Sequence, residues 1–264
     1  MKLSNKIIWI TGASSGIGEA LAVELAKAKN KLILSARREN ELNRVKSECE
    51  ADSSDIQILT LDLADSGSLK GKTEAAINFY GAIDLIIHNG GISQRFLAAD
   101  TEVSVDRRIM EVNYFGTIEI TKHLLPYFKK QGRGHLAIVS SLVGKFGTPY
   151  RSGYAASKHA LHGFFDSLRT EVHDENIKVT MICPGFIRTN VSINALTEKG
   201  EKLNQMDQAQ ANGMPVDKFS RKMIRAIEKD KSEVYIGGKE KYGVLVKRFL
   251  PSLFNILVRK ASVR

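Results

Sequence analysis

Cysteine is almost missing from this chain. Cys49 and Cys183 are the only two, and neither has a partner at metal-ligand or redox spacing. That excludes a disulfide framework and suits a reducing compartment. Proline is scarce too, with five residues in 264, and neither proline nor glycine gathers into a linker. No internal repeat or low-complexity run interrupts the chain, so one substantial core is expected. No apolar run reaches the ~18 residues of a membrane span. The first such run, residues 6–11, is too short for a secretory signal, and a cytoplasmic protein is expected. Acidic residues are the minority charge, 29 against 39 lysines and arginines, which leaves a net +10. Such an excess suits nucleic acid, an anionic membrane surface or an anionic ligand. No strand interleaves aromatic and basic residues for base stacking, so nucleic acid is not expected.

What the chain does have is alternation. Short aliphatic runs at 6–11, 31–36, 56–61, 84–88, 135–140, 178–183 and 233–237 are apolar nearly throughout, as strands buried on both faces of a parallel sheet must be. Helical patterns separate them: Glu19–Ala28, Glu39–Ala51, Ser66–Tyr80, Ser104–Lys130, Ser152–His173 and Pro215–Lys229. Repeated strand–helix alternation predicts an α/β fold, a doubly wound, mostly parallel seven-stranded sheet with helices on both faces.

Between the first strand and first helix lies TGASSGIG, Thr11–Gly18. Glycines at 12, 16 and 18 allow a sharp turn and close backbone approach to a pyrophosphate, and the helix N-terminus offers free N–H groups. No Gly-Lys-Ser/Thr follows, which excludes a Walker-type loop. The second strand ends in SARR, residues 35–38, where an NAD-binding site usually carries an acid for the ribose diol. Arg37 and Arg38 could instead grip a 2′-phosphate through charge-assisted hydrogen bonds, favouring NADP(H), although one of them can equally be a solvated residue before a helix.

Seven motifs then fall in order: TGASSGIG, LDL at 61–63, HNGG at 88–91, NYFG at 113–116, SS at 140–141, YAASK at 154–158 and PGFIRT at 184–189. Together they resemble the short-chain dehydrogenase/reductase family over roughly residues 5–237. The phrase HNGGISQR draws the resemblance toward the branch of 11β-hydroxysteroid dehydrogenase and the dehydrogenase/reductase member 7 group. The resemblance implies a Rossmann-like fold, a nicotinamide cofactor, carbonyl–alcohol chemistry and a homodimer or homotetramer formed through the helices at 104–130 and 152–173. It places the cofactor on Gly12, Ser14, Ser15, Gly16, Ile17, Gly18, Arg37, Arg38, Asp62, Leu63, Asn89, Gly90, Tyr154, Lys158, Pro184, Gly185, Ile187 and Thr189. One departure stands out: the usual NNAG reads HNGG, with His88 and Gly90 in place of Asn and Ala.

Tyr154 and Lys158 are spaced i, i+4 on one helix and share a face. A free phenol, with pKa ~10, exchanges its proton sluggishly near neutrality, and a neighbouring cation lowers that value. Alone, the pair could be an exposed aromatic beside a solvated lysine. Carried over from the family, Tyr154 is the proton donor in reduction, Ser141 holds the substrate oxygen, and Lys158 bonds the nicotinamide ribose. Asn113 holds a water that links Lys158 to solvent. Ser140 competes with Ser141, and strand alternation lets only one of them face the site.

His159 and His162 stand at i, i+3 without a third ligand, and no metal is expected. His88, His123, His135 and His173 read as structural or solvated, and Cys183 as a buried thiol. Leu142, Val143, Phe146, Tyr150, Phe186 and Val191 suggest an apolar substrate pocket, or simply core. Residues 190–213 read as a mobile lid within a catalytic domain of residues 1–238. The extension 239–264 carries an apolar stripe (Tyr242, Leu245, Val246, Phe249, then Leu253, Ile256, Leu257) and basic residues that include Lys241, Lys247, Arg248, Arg259, Lys260 and Arg264. It is expected as an amphipathic helical tail, either lying on a membrane surface or covering its own or a partner subunit. An NADP(H)-dependent carbonyl reductase acting on a small-molecule carbonyl or alcohol leads. A 3-oxoacyl-thioester reductase and a non-catalytic NADP(H) sensor are the alternatives.

Overall fold

The computed structural model describes residues 2–49, 52 and 55–260. Two sequence expectations, the end of the second helix at Ala51 and the final basic residue Arg264, lie outside the described residues. Seven strands form one sheet: β1 (Ile7–Thr11), β2 (Lys31–Ala36), β3 (Ile56–Thr60), β4 (Leu85–His88), β5 (Gly134–Val139), β6 (Ile177–Pro184) and β7 (Glu233–Ile236). Their order is β3-β2-β1-β4-β5-β6-β7, and every pairing is parallel. Parallel neighbours need crossovers, and the helices supply them: α1 (Gly16–Ala26), α2 (Glu39–Glu48), α3 (Ser66–Tyr80), α4 (Val103–Met110), α5 (Gly116–Gln131), α6 (Ser152–Glu171), α7 (Gln208–Ala211) and α8 (Val216–Glu228). Two more, α9 (Gly243–Phe249) and α10 (Pro251–Lys260), follow the last strand.

The period of two along each strand divides the core between the sheet's faces. Ile8, Ile10, Leu32 and Leu34 face one way and pack with Leu21 and Leu25 of α1 and Phe219 and Met223 of α8. Trp9, Ile33 and Ile86 face the other way, against Leu69 of α3, Leu124 and Phe128 of α5, and Phe165 of α6. The indole N–H of Trp9, fully buried, donates to Ser35 Oγ at 2.8 Å, so its one polar atom is satisfied.

The predicted helix over 104–130 is not continuous. A single π turn, Glu111–Phe115, separates α4 from α5. Pro126, although inside α5, is not where the helix breaks. A π turn inserts a residue and re-aims the side chains after it, and here it carries Asn113.

The extension differs from expectation in which face it buries. Phe254 is buried and packs with Leu142, Val143 and Phe146, and Val244, Val246 and Val258 pack against the same cluster. Tyr242, Leu245, Phe249, Leu253, Ile256 and Leu257, most of the predicted stripe, are exposed. Among the described residues no helix is long and apolar enough to cross a membrane.

Candidate active site

The turn after β1 is braced from β4. Thr11 Oγ1 accepts the N–H groups of Asn89 and Gly90, both at 3.1 Å. The Asn89 amide donates to the carbonyls of Thr11 at 3.2 Å and Gly12 at 3.0 Å. Two of the three glycines answer this internal packing. A Cβ on Gly12, whose φ is +66°, would meet Gly90 Cα at 2.7 Å, and one on Gly18 would strike the Gly12 carbonyl at 2.2 Å. At the unusual Gly90 a methyl would meet Leu63 Cδ1 at 2.7 Å, the end of a side chain that can turn aside, so packing there does not demand glycine. Ser15, before the first residue of α1, makes no side-chain cap, which leaves the first-turn N–H groups of that helix open to an anion.

This turn opens into a cavity of about 970 Å³ at the strands' C-terminal ends. Every residue expected to hold the cofactor lines it except Gly18. Arg37 and Arg38 are both exposed at its rim. The open helix N-terminus and the glycine turn together fit the pyrophosphate of a dinucleotide. Of the expected pocket residues, Leu142, Val143, Phe146, Phe186 and Val191 line the cavity. Tyr150 is not among the lining residues; its backbone takes the left-handed conformation, φ 65°, and its carbonyl accepts from Phe96 N–H at 3.0 Å.

Tyr154 and Ser141 line the cavity together. Ser141 accepts from Val143 N–H at 3.3 Å, which fixes its rotamer at the start of a short 3₁₀ turn. Ser140 turns elsewhere, with Oγ 3.1 Å from His162 Nε2. Burial pushes the Tyr154 phenol above its usual range, against the opposing pull of Arg95, Ser141 and Arg151. Lys158 is buried as well, which lowers its ammonium to about 8, and its Nζ donates to Val139 O at 2.9 Å.

Asn113 does not line the cavity. Its Oδ1 accepts from Ile92 N–H at 2.8 Å, and its Nδ2 donates to Ile92 O at 2.9 Å and Ser157 Oγ at 3.0 Å. It holds the loop after β4 to α6 next to Lys158.

His88 is buried with Nε2 3.0 Å from Thr121 Oγ1. Since the Thr121 hydroxyl donates to Thr117 O at 2.8 Å, Nε2–H is the donor to threonine, and burial, which lowers the group to about 3, keeps the imidazole neutral. His162, Asp166 and Glu233 bring ligand atoms within 4.8 Å of one another. Lys145 Nζ, 2.6 Å from Glu233 Oε2, already supplies positive charge there.

Several cavity residues carry no motif. Glu240 Oε1 accepts the N–H groups of Phe186 at 3.1 Å and Gly238 at 2.8 Å, tying the extension to the loop after β6. Gln210 of α7 donates to Ile187 O and, at 3.3 Å, to Thr189 Oγ1. Arg95 and Arg151 line the cavity and share the carboxylate of Asp207. Only Arg95 stood in a phrase of interest, HNGGISQR; the others lie in segments without a periodic or spacing signal.

The sequence profile described as short chain dehydrogenase matches residues 6–200. The chain belongs to this family. Among its relatives, the dehydrogenase/reductase SDR family protein 7-like of Drosophila melanogaster is 40% identical over 268 residues, covering 100% of this chain and 82% of the relative. Dehydrogenase/reductase SDR family member 7 of Homo sapiens is 41% identical over 240 residues, covering 89% of this chain and 71% of the relative. A short-chain dehydrogenase structure from Streptomyces avermitilis superposes with a TM-score of 0.83 at 26% identity, covering 97% of this chain and 96% of that one. The short-chain dehydrogenase chain is thus an oxidoreductase with a nicotinamide cofactor and a small-molecule substrate, nearest among these relatives to the member 7 group.

Proposed function

We propose that the protein is an NADPH-dependent reductase of apolar carbonyl compounds, with Tyr154 as the proton donor. The observation that carries this reading is that Ser141, Tyr154 and Lys158 line the same cavity as the glycine turn and Arg37–Arg38. When bound, the nicotinamide supplies hydride to the carbonyl carbon. Ser141 holds the substrate oxygen and stabilises charge building on it. Tyr154 O–H gives that oxygen its proton, and in the reverse direction takes it back. Lys158, anchored at Val139 O, has two ammonium hydrogens left to orient the nicotinamide ribose. Asn113 serves one step back, pinning Ile92 and Ser157.

Arg37 and Arg38 support NADP(H) over NAD(H), because an acid at that place would repel a 2′-phosphate. Leu142, Val143, Phe146, Val246 and Phe254 support an apolar substrate body. Residues 1–238 form the catalytic unit, with 190–213 as its lid and the extension as one cavity wall. The exposed Phe115 and Tyr127 support self-association through the π turn and α5.

For the extension's outer face we favour an anionic membrane surface. Leu245, Phe249, Leu253 and Ile256 are exposed beside Lys247 and Arg248, the composition of an interfacial helix.

The test is a panel of aliphatic, aromatic and steroidal ketones and 3-oxoacyl thioesters, followed by NADPH absorbance with NADH as control. Turnover of an apolar ketone at least about tenfold faster with NADPH supports the reading. No turnover of any member, with the cofactor shown to bind, overturns it in favour of a sensor.

A further inference from the structure

Two guanidiniums meet at the catalytic end of the cavity with one carboxylate between them. Asp207 Oδ2 accepts from Arg95 Nε at 2.7 Å and from Arg151 Nη2 at 3.3 Å. All three side chains are nearly inaccessible, Arg95 at 4%, Arg151 at 5% and Asp207 at 4%. They arrive from separate elements: Arg95 from the loop after β4, Arg151 from the residue preceding α6, and Asp207 from the segment leading into α7. Arg151 is three positions before Tyr154 and also lies over the Phe186 ring, 5.7 Å from its centre.

Arg95 is only partly used. Its Nε serves Asp207, and its Nη1 donates to Ser93 Oγ at 2.6 Å and Gln94 O at 2.8 Å. Among the described residues, Nη2 has no hydrogen-bond partner, although the residue lines the cavity. A guanidinium held rigidly by three hydrogen bonds, with one amino group unused at a cavity it lines, is placed to pair with an anion there. The cavity's own acids do not supply one. Glu240 Oε1 is taken by Phe186 and Gly238 N–H, and Asp62 Oδ1 accepts from Ala64 N–H at 3.1 Å. Asp106 lies near Gly153 but burial raises its carboxyl toward the neutral form, and it does not line the cavity. Arg108 and Lys202 also line the cavity and make no ion pair with a described residue.

We infer that Arg95, held in place by Asp207, is an anion subsite beside Tyr154, and that the substrate is a carbonyl compound with an apolar body and an anionic oxygen group, carboxylate or phosphate. This rests on the carbonyl-reductase reading and adds the substrate's charge to it. The free Nη2 amino group offers charge-assisted hydrogen bonds to an oxygen of either group. The apolar wall of Phe146, Val246 and Phe254 takes the hydrocarbon part. Part of the chain's net +10 is thereby assigned to substrate recognition rather than to a polymer or the cofactor.

Calorimetric titration of the full chain with octanoate, octyl phosphate and neutral octanamide tests this without turnover, so a failure here leaves the reductase reading standing. At least one anion should bind about tenfold or more tighter than the amide, the scale of a charged hydrogen bond; which of the two anions does so distinguishes carboxylate from phosphate. Arg95→Gln should remove that preference. Asp207→Asn, which deletes the competing carboxylate, should tighten anion binding severalfold and leave octanamide unchanged; a purely structural Asp207 would give weaker binding of all three. Equal binding of anion and amide by the unaltered protein, or an anion preference that survives Arg95→Gln, overturns the proposal.

Discussion

Lys158 Nζ donates to the carbonyl of Val139 at 2.9 Å and stands 5.7 Å from the centre of the Tyr154 ring. The i, i+4 spacing therefore places the cation beside the aromatic body. Arg95 and Arg151 supply the positive charge that opposes burial at the Tyr154 hydroxyl. In the proposed mechanism, proton transfer from Tyr154 would thus depend on charges outside its own helix face as well as on Lys158.

Removing that hydroxyl isolates its role. Tyr154→Phe keeps the ring's packing and should lower turnover by about 10²–10⁴, the usual weight of a positioned acid. NADPH affinity, followed by fluorescence titration, should stay within about twofold. Near-normal turnover would remove Tyr154 from the chemistry.

Arg37 and Arg38 are exposed and line the cavity at the end of β2. Replacing both by alanine should raise the KM for NADPH by about tenfold or more, since charge-assisted hydrogen bonds to a phosphate are lost. The KM for NADH should hardly move. A parallel rise for both cofactors would mean that the pair does not read the 2′-phosphate.

Three buried histidines make the fold acid-sensitive. Burial lowers His88 to about 3 and His135 and His162 to about 4. Above pH ~6.5 both folded and unfolded chains hold neutral imidazoles, so these groups contribute nothing there. Between that pH and the folded values, only the unfolded chain takes up protons, so stability is lost as pH falls. By pH 5 the loss should approach about 2 kcal/mol per group. The melting temperature should drop by several degrees from pH 7 to pH 5, and His88→Asn should flatten the slope. A melting temperature constant across that range would contradict the assignment.

The outer face of the extension can be tested without deleting it, which matters because Phe254 is buried against Phe146, ring centres 5.0 Å apart. Changing Leu245, Phe249, Leu253 and Ile256 to serine leaves Phe254 in place. Co-sedimentation with phosphatidylserine vesicles should fall severalfold, with turnover of soluble ketones retained. Equal sedimentation of both proteins would dismiss the membrane surface.

The sheet was legible in the sequence because strands buried on both faces must be apolar throughout and the connecting helices must alternate with them. All seven strands fall within one or two residues of their predicted spans. The glycine turn was legible too, since its chemistry lies within eight consecutive residues. The tail's buried face was not, because an apolar stripe records hydrophobicity and not the surface it meets. Val246 and Phe254 turn inward only because Phe146 and Leu142 lie beneath them.

Local spacing thus determined the fold, the anion-binding turn and the Tyr154–Lys158 pair. Only tertiary structure decided what each of Ser140 and Ser141 bonds, what the Lys158 ammonium holds, and that Arg95, Arg151 and Asp207 converge. Arg95 and Asp207 are 112 positions apart. Periodicity carries information across a few turns of helix, whereas such a cluster exists only once crossovers have stacked distant loops at one end of the sheet.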